Sequence, residues 1–193
     1  MRWQELFMQT VRTPAEAADH VLQTELEFSD LWMGVIAISA LSACVTGLTI
    51  VLIPLPPGWP ELFASPFAHF ATTAVGMILF ATLLTWAGRG LGGTGTLPSL
   101  LKLILWLQTF RVGLQVLGLL LLVAVPVLGA FYGLATGLLA LWVLLHFIKV
   151  GHGLASIGTA SLVLFATFVG LIVGMSMLLS LVGFGSLGVT AGV

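Results

Sequence analysis

Four histidines, one cysteine and a Gly-x-Gly-x-x-Gly stretch are the parts of this chain whose residue types could do chemistry. Two metal ligands on one helix face need an i, i+4 spacing. His146 and His152 stand too far apart for that, His20 lies in an acidic N-terminal segment, and His69 is isolated in an apolar run. With no acidic ligand near the pair flanking Lys149, no metal site is expected, and interfacial anchoring is the preferred reading for His146 and His152. Haem would need axial histidines facing each other, whereas His69 and His146 fall toward opposite membrane sides. No cofactor is expected. The loop Gly88-Arg89-Gly90-Leu91-Gly92-Gly93 matches a dinucleotide fingerprint formally. It follows an apolar helix instead of a strand, lacks a downstream ribose-binding acid, and has no Lys-Ser/Thr ending for a phosphate loop. A flexible turn explains its glycines better. Cys44 is the only cysteine, so neither an intramolecular disulfide nor a cysteine cluster can form. Inside an apolar run it reads as a small buried thiol. From Leu31 onward the sole acid is Glu61, which leaves no serine–histidine–acid set and no carboxylate for a proton relay. The chain is therefore expected not to be an enzyme, with no catalytic residues.

The elements that must carry these residues are membrane helices. The chain is 59% hydrophobic and 7% charged, against about 25% charged residues in soluble proteins. Its mean hydropathy is +1.18. A net charge of −1 gives no field for nucleic acid, so no nucleic-acid partner is expected. The first thirty residues are mixed and charged, unlike a secretory signal with a basic start and an apolar core. A bilayer core of about 30 Å needs about 20 apolar residues of helix. On that criterion the fold class is all-α: a polytopic helical membrane protein with five transmembrane helices after a short amphipathic N-terminal segment. Residues 1–30 form that segment and residues 31–193 the membrane domain. The spans are placed near 31–53, 67–87, 108–127, 129–148 and 159–182. PLPPGWPEL separates the first two, and LLKLILWLQTFR is expected to lie at the interface before the third.

Arg2, Arg12, Arg89, Lys102, Arg111 and Lys149 fall on one side of this arrangement, and the opposite loops carry only Glu61. The positive-inside rule then sets the N-terminus in the cytoplasm and the C-terminus outside. Arg111 is the strained member, expected to snorkel toward the headgroups. In the N-terminal segment Trp3, Leu6, Phe7 and Val11 share a helical face. Thr13-Pro14-Ala15-Glu16 starts a second helix, with Ala18, Val21, Leu22 and Leu26 on one side. Glu16, Asp19, Glu25, Glu27 and Asp30 are either its solvated face or a docking surface for a basic partner segment. Small residues let membrane helices approach closely. Gly129, Gly133 and Gly137 form such a ridge on the fourth span, Gly170 and Gly174 on the fifth, and Ser39, Ala43 and Gly47 on the first. They are expected to pack the bundle or to face a partner.

TWAGRGLGGTGTLPSLLKLILWL, the reversal VAVPVLGAF, LWVLLHFIKVGHGLASIGTASLVL and RTPAEAADHVL carry a family resemblance. In this order the chain resembles the YIP (Ypt-interacting protein) membrane-domain family, particularly its bacterial branch. The resemblance implies a five-span fold with a cytoplasmic N-terminus, in a bacterial inner membrane. Eukaryotic members act in vesicle traffic with small GTPases, a role not carried over to a chain with so short a cytoplasmic portion. The expected function is non-enzymatic: an integral membrane protein acting by association, as scaffold, assembly factor or accessory subunit. Its expected partners are the lipid bilayer and other membrane subunits or further copies of itself. The alternative is a small oligomeric transporter or permeation protein, with Gln108, Gln115, Thr136 and Ser176 as pathway candidates.

Overall fold

The computed structural model describes residues 3–53 and 65–181. The segment around Gly58 and Glu61, and residue Val182 at the end of the fifth expected span, lie outside the described residues. Among the described residues there are seven helices and no strand: α1 (Trp3–Arg12), α2 (Pro14–Gln23), α3 (Phe28–Leu52), α4 (Pro66–Gly90), α5 (Leu97–Ala124), α6 (Pro126–His152) and α7 (Ile157–Leu181). The last five are long and apolar enough to cross a membrane. The protein is an all-α polytopic membrane protein.

Local chemistry fixes the helix ends. Pro14, Pro66 and Pro126 each stand at a helix start, where a missing N–H costs nothing. Thr13 precedes α2 but its hydroxyl makes no cap; Glu16 instead accepts from the Gln9 amide at 3.2 Å. The second helix ends sooner than its apolar pattern suggests, because Thr24 is extended and Glu27 caps α3. The Asp30 carboxylate accepts from the Glu27 N–H at 2.9 Å, so Glu27 and Asp30 start the first membrane helix and do not belong to α2. α6 closes on Gly153, whose φ of +64° lets the Leu154 N–H reach the Lys149 carbonyl at 2.8 Å.

α5 departs most from expectation. Its helix begins at Leu97, so LLKLILWLQTFR, expected at the interface, is the first part of one continuous helix that runs on through residues 108–124. Leu100, Leu101, Leu103 and Ile104 are buried in the main core, with α1 and α2 covering part of this stretch. The Trp106 indole N–H donates to the Thr10 hydroxyl at 2.9 Å, and Phe7 packs on Phe110 with ring centres 4.5 Å apart. Lys102 donates to the carbonyls of Leu22 and Thr24, placing a cation at the negative end of α2. The N-terminal helices are thereby stapled to one end of the bundle, here termed proximal.

α5 packs against α3, α4 and α6, while α7 covers α4 and α6. Most of the core, including Leu84, Leu100, Phe147, Ile148, Ala160 and Val163, lies in the proximal half. The distal half is looser, and it is there and at mid-depth that polar side chains meet cavities.

Candidate intramembrane site and the proximal corner

Gln108, Arg111 and Gln115 recur at i, i+3 and i+7 on α5, a spacing that puts them on one helix face. A rise of about 1.5 Å per residue sets Arg111 roughly 20 Å from either end of that helix. A charge at that depth costs about 2.5–3.5 kcal/mol on insertion scales unless it is paired. Among the described residues none hydrogen-bonds or ion-pairs with Arg111, and its side chain is exposed at the surface of the chain.

Two cavities flank it. The first, of about 400 Å³, lies between α3, α5 and α6 and is lined by Thr49, Arg111, Gln115, Tyr132 and Thr136 among apolar groups. Its polar atoms are largely committed. The Gln115 amide donates to Thr46 at 3.1 Å, and Thr46 and Ser42 each meet the His69 Nε2 at 3.2 Å. Tyr132 donates to the Leu114 carbonyl and Thr136 to that of Tyr132, both at 2.8 Å. The second cavity, of about 570 Å³, is walled by α4, α5, α6 and α7 and lined by Thr72, Thr73, Gln108 and Arg111 beside Phe80, Leu144 and Phe168. Here no side-chain hydrogen bond is made by any of the four polar residues to a described residue. Gln115 and Thr136 thus line the first cavity with Arg111, and Gln108 lines the second with it, whereas Ser176 returns its hydroxyl to the Ile172 carbonyl on α7.

A different kind of site closes the proximal end. His152 is 1% exposed, and the Gly-rich stretch wraps it. The Gly95 N–H donates to His152 Nδ1 at 3.2 Å, while Nε2 lies 3.1 Å from the Leu84 carbonyl. A carbonyl can only accept, so Nε2 carries the proton and the ring is neutral. A Cβ on Gly93 or Gly95 would stand 2.7 or 2.6 Å from the ring, and one on Gly88 closer still. The flexible-turn and interfacial-anchor readings are corrected together: the glycines permit close approach to a buried histidine, which ties α4, the following loop and α6 into one corner. His146, by contrast, pairs its Nδ1 with the Trp142 carbonyl on its own helix. Among the described residues no group of three His, Cys, Asp or Glu could hold a metal.

The small-residue ridges separate into different environments. Ser39 and Ala43 are buried, and a Cβ on Gly47 would meet Pro66 at 3.5 Å, so this ridge faces inward. A Cβ on Gly129 would lie 2.7 Å from Leu122, inside the α5–α6 hairpin. At Gly133, Gly137 and Gly174 it would meet nothing within 4 Å, and at Gly170 only Leu83 at 3.8 Å. Gly133 and Gly137 instead border the first cavity. Gly118, unmarked by any sequence pattern, is a tight contact: its Cβ would fall 2.8 Å from the Tyr132 ring. Of the five acids, Glu16, Asp19, Glu25 and Glu27 are exposed and Asp30 is half-buried. Glu25, Glu27 and Asp30 border one recess with Lys102, while Glu16 and Asp19 stand apart on α2. Cys44 is exposed on α3, contrary to the buried thiol expected.

A family model described as the Yip1 domain matches residues 8–178. No curated protein and no solved structure matches the chain.

Proposed function

The chain belongs to the Yip1 domain family, and from that premise we propose that it works without catalysis, by association, as a scaffold, assembly factor or accessory subunit of a membrane complex. One observation carries this reading. α6 is the least covered of the five spans, with 6% of its apolar window buried against 17–28% for the others, and its Gly133 and Gly137 border the open cavity beside α3 and α5 with nothing within 4 Å of a Cβ. Lipid chains satisfy an apolar face, but a glycine groove gains more from a close-packed helix than from mobile acyl chains. The partner is another membrane subunit or a second copy of the chain. The exposed acids Glu16, Asp19 and Glu25, with Glu27 and Asp30, form a second proposed contact for a basic segment. The inward ridges, Ser39–Ala43–Gly47 and Gly129, hold the bundle together; Gly170 and Gly174 are further candidates for outward contact. A bacterial cytoplasmic membrane with a cytoplasmic N-terminus is the proposed setting, supported by the basic residues gathered near the proximal end.

Gly133→Leu tests the proposal because a Cβ at this position meets nothing within 4 Å. The melting temperature of the monomer in mild detergent should stay within a few degrees of wild type. Recovery of co-purifying subunits should fall about tenfold, the equivalent of about 1.4 kcal/mol. Gly129→Leu should behave oppositely and lower the melting temperature, since Leu122 occupies its space. Unchanged recovery with Gly133→Leu would show that this face meets only lipid. A second reading, a small oligomeric permeation protein, is favoured by the two cavities that Gln108, Gln115 and Thr136 line with Arg111. Solute flux into vesicles containing the purified chain separates the two.

A further inference from the structure

We propose that the cavity between α4, α5, α6 and α7 is a binding site for an anionic amphiphile, an acyl chain ending in a phosphate or carboxylate, with Arg111 as the counter-ion. The chain cannot neutralise Arg111 from its own spans, because from Leu31 to Val193 its only acid is Glu61, between the first two spans. A second copy brings the same shortage. The cation has convergent company: Gln108 one turn away on α5 and the hydroxyls of Thr72 and Thr73 on α4 line the same space and make no side-chain hydrogen bond to a described residue. Several uncommitted donors around one positive charge match a group with two or three acceptor oxygens. The remaining wall is apolar, including Phe80 and Phe168, whose ring centres are 6.2 Å apart. A volume of about 570 Å³ falls within the range of roughly 300–1,000 Å³ typical of small-molecule sites. The ligand is therefore chain-like at one end and anionic at the other, and Arg111, which also borders the cavity beside Gly133 and Gly137, adjoins the association surface proposed on α6.

Matched probes test each half of this description. The full chain, purified in an uncharged detergent, is melted with dodecyl phosphate or laurate, with dodecanol, and with inorganic phosphate or acetate, all below micelle-forming concentrations. The anionic amphiphiles should raise the melting temperature by about 5 °C or more at saturation, and dodecanol and the chainless anions should not. Arg111→Gln should abolish that rise while leaving the unliganded melting temperature near wild type, since no described residue hydrogen-bonds or ion-pairs with Arg111. Gly76→Leu supplies a second, independent block: Gly76 lines the cavity and a Cβ there meets nothing within 4 Å, so a larger side chain has space to enter. Lys149→Gln, a basic residue away from the cavity, should keep the full response. Stabilisation by free phosphate or acetate alone would overturn the proposal in favour of an anion pathway. No response to any probe, or an undiminished response in both Arg111→Gln and Gly76→Leu, would remove the site.

Discussion

Gly88→Ala should lower the melting temperature of the chain by roughly 10 °C, while Gly90→Ala should leave it nearly unchanged. The two glycines lie one half-turn apart near the end of α4, and both substitutions add one methyl group. A methyl at Gly88 enters the His152 ring, whereas one at Gly90 meets nothing within 4 Å. The ring has no easy retreat, because it is 1% exposed and held at both nitrogens by the Gly95 N–H and the Leu84 carbonyl. Overpacking costs about 1–3 kcal/mol, and each hydrogen bond given up when the ring tilts costs about 1 kcal/mol more. A net loss of about 3 kcal/mol corresponds to roughly 10 °C at about 2–4 °C per kcal/mol for a chain of this size. Thermal melting in mild detergent checks the pair. Equal tolerance of both substitutions would mean that the loop does not close on His152.

The second large effect is all-or-none. In a Cys44→Ala background, Thr94→Cys should react with an impermeant thiol reagent only from the cytoplasmic side, and Val125→Cys only from the opposite side. Thr94 is exposed in the loop that covers His152, at the end of the bundle where α1 and α2 dock. Val125, 44% exposed, joins α5 to α6 at the other end. Arg89 and Lys149 lie in the last turns of α4 and α6 at the Thr94 end, and Lys102 there holds α2. On the positive-inside rule the proximal end is the one proposed to face the cytoplasm. The reverse labelling pattern would invert the orientation and place the acidic surface outside.

What could be read from the chain, and what could not, divides by the range of the interaction. Five apolar runs bounded by Pro and Gly specify five helices almost by themselves, since the bilayer demands length and apolarity and little else. In isolation Lys102 looks only like an interfacial residue, and the sequence does not reveal what holds it. Its ammonium is satisfied by carbonyls of Leu22 and Thr24, from a helix far earlier in sequence. His152 and the Gly-rich loop fail to announce each other for the same reason: a glycine required by close approach is indistinguishable in sequence from one required by flexibility. Thr10 was overlooked as a polar residue on an amphipathic helix, yet it is fully buried and receives the Trp106 N–H. The polar stripe of α5 did leave a signal. Gln108, Arg111 and Gln115 stand at i, i+3 and i+7, a spacing that puts all three on one helix face. The glycine ridges illustrate the converse. GxxxG spacing marks a face able to pack closely, but only the surroundings distinguish Gly129, filled by Leu122, from Gly133, which is open.

Association is the central claim, and the mass of the gently extracted particle measures it directly. The full chain, tagged and extracted from its native membrane in the mildest detergent that solubilises it, is weighed by light scattering with detergent subtracted. A chain of 20.3 kDa that works through the open face of α6 should emerge as a particle of at least twice that mass, containing either further copies or other membrane subunits. Gly133→Leu should return it toward the single-chain value. A particle of one chain alone, unchanged across protein concentrations and across the mildest detergents, would contradict the account.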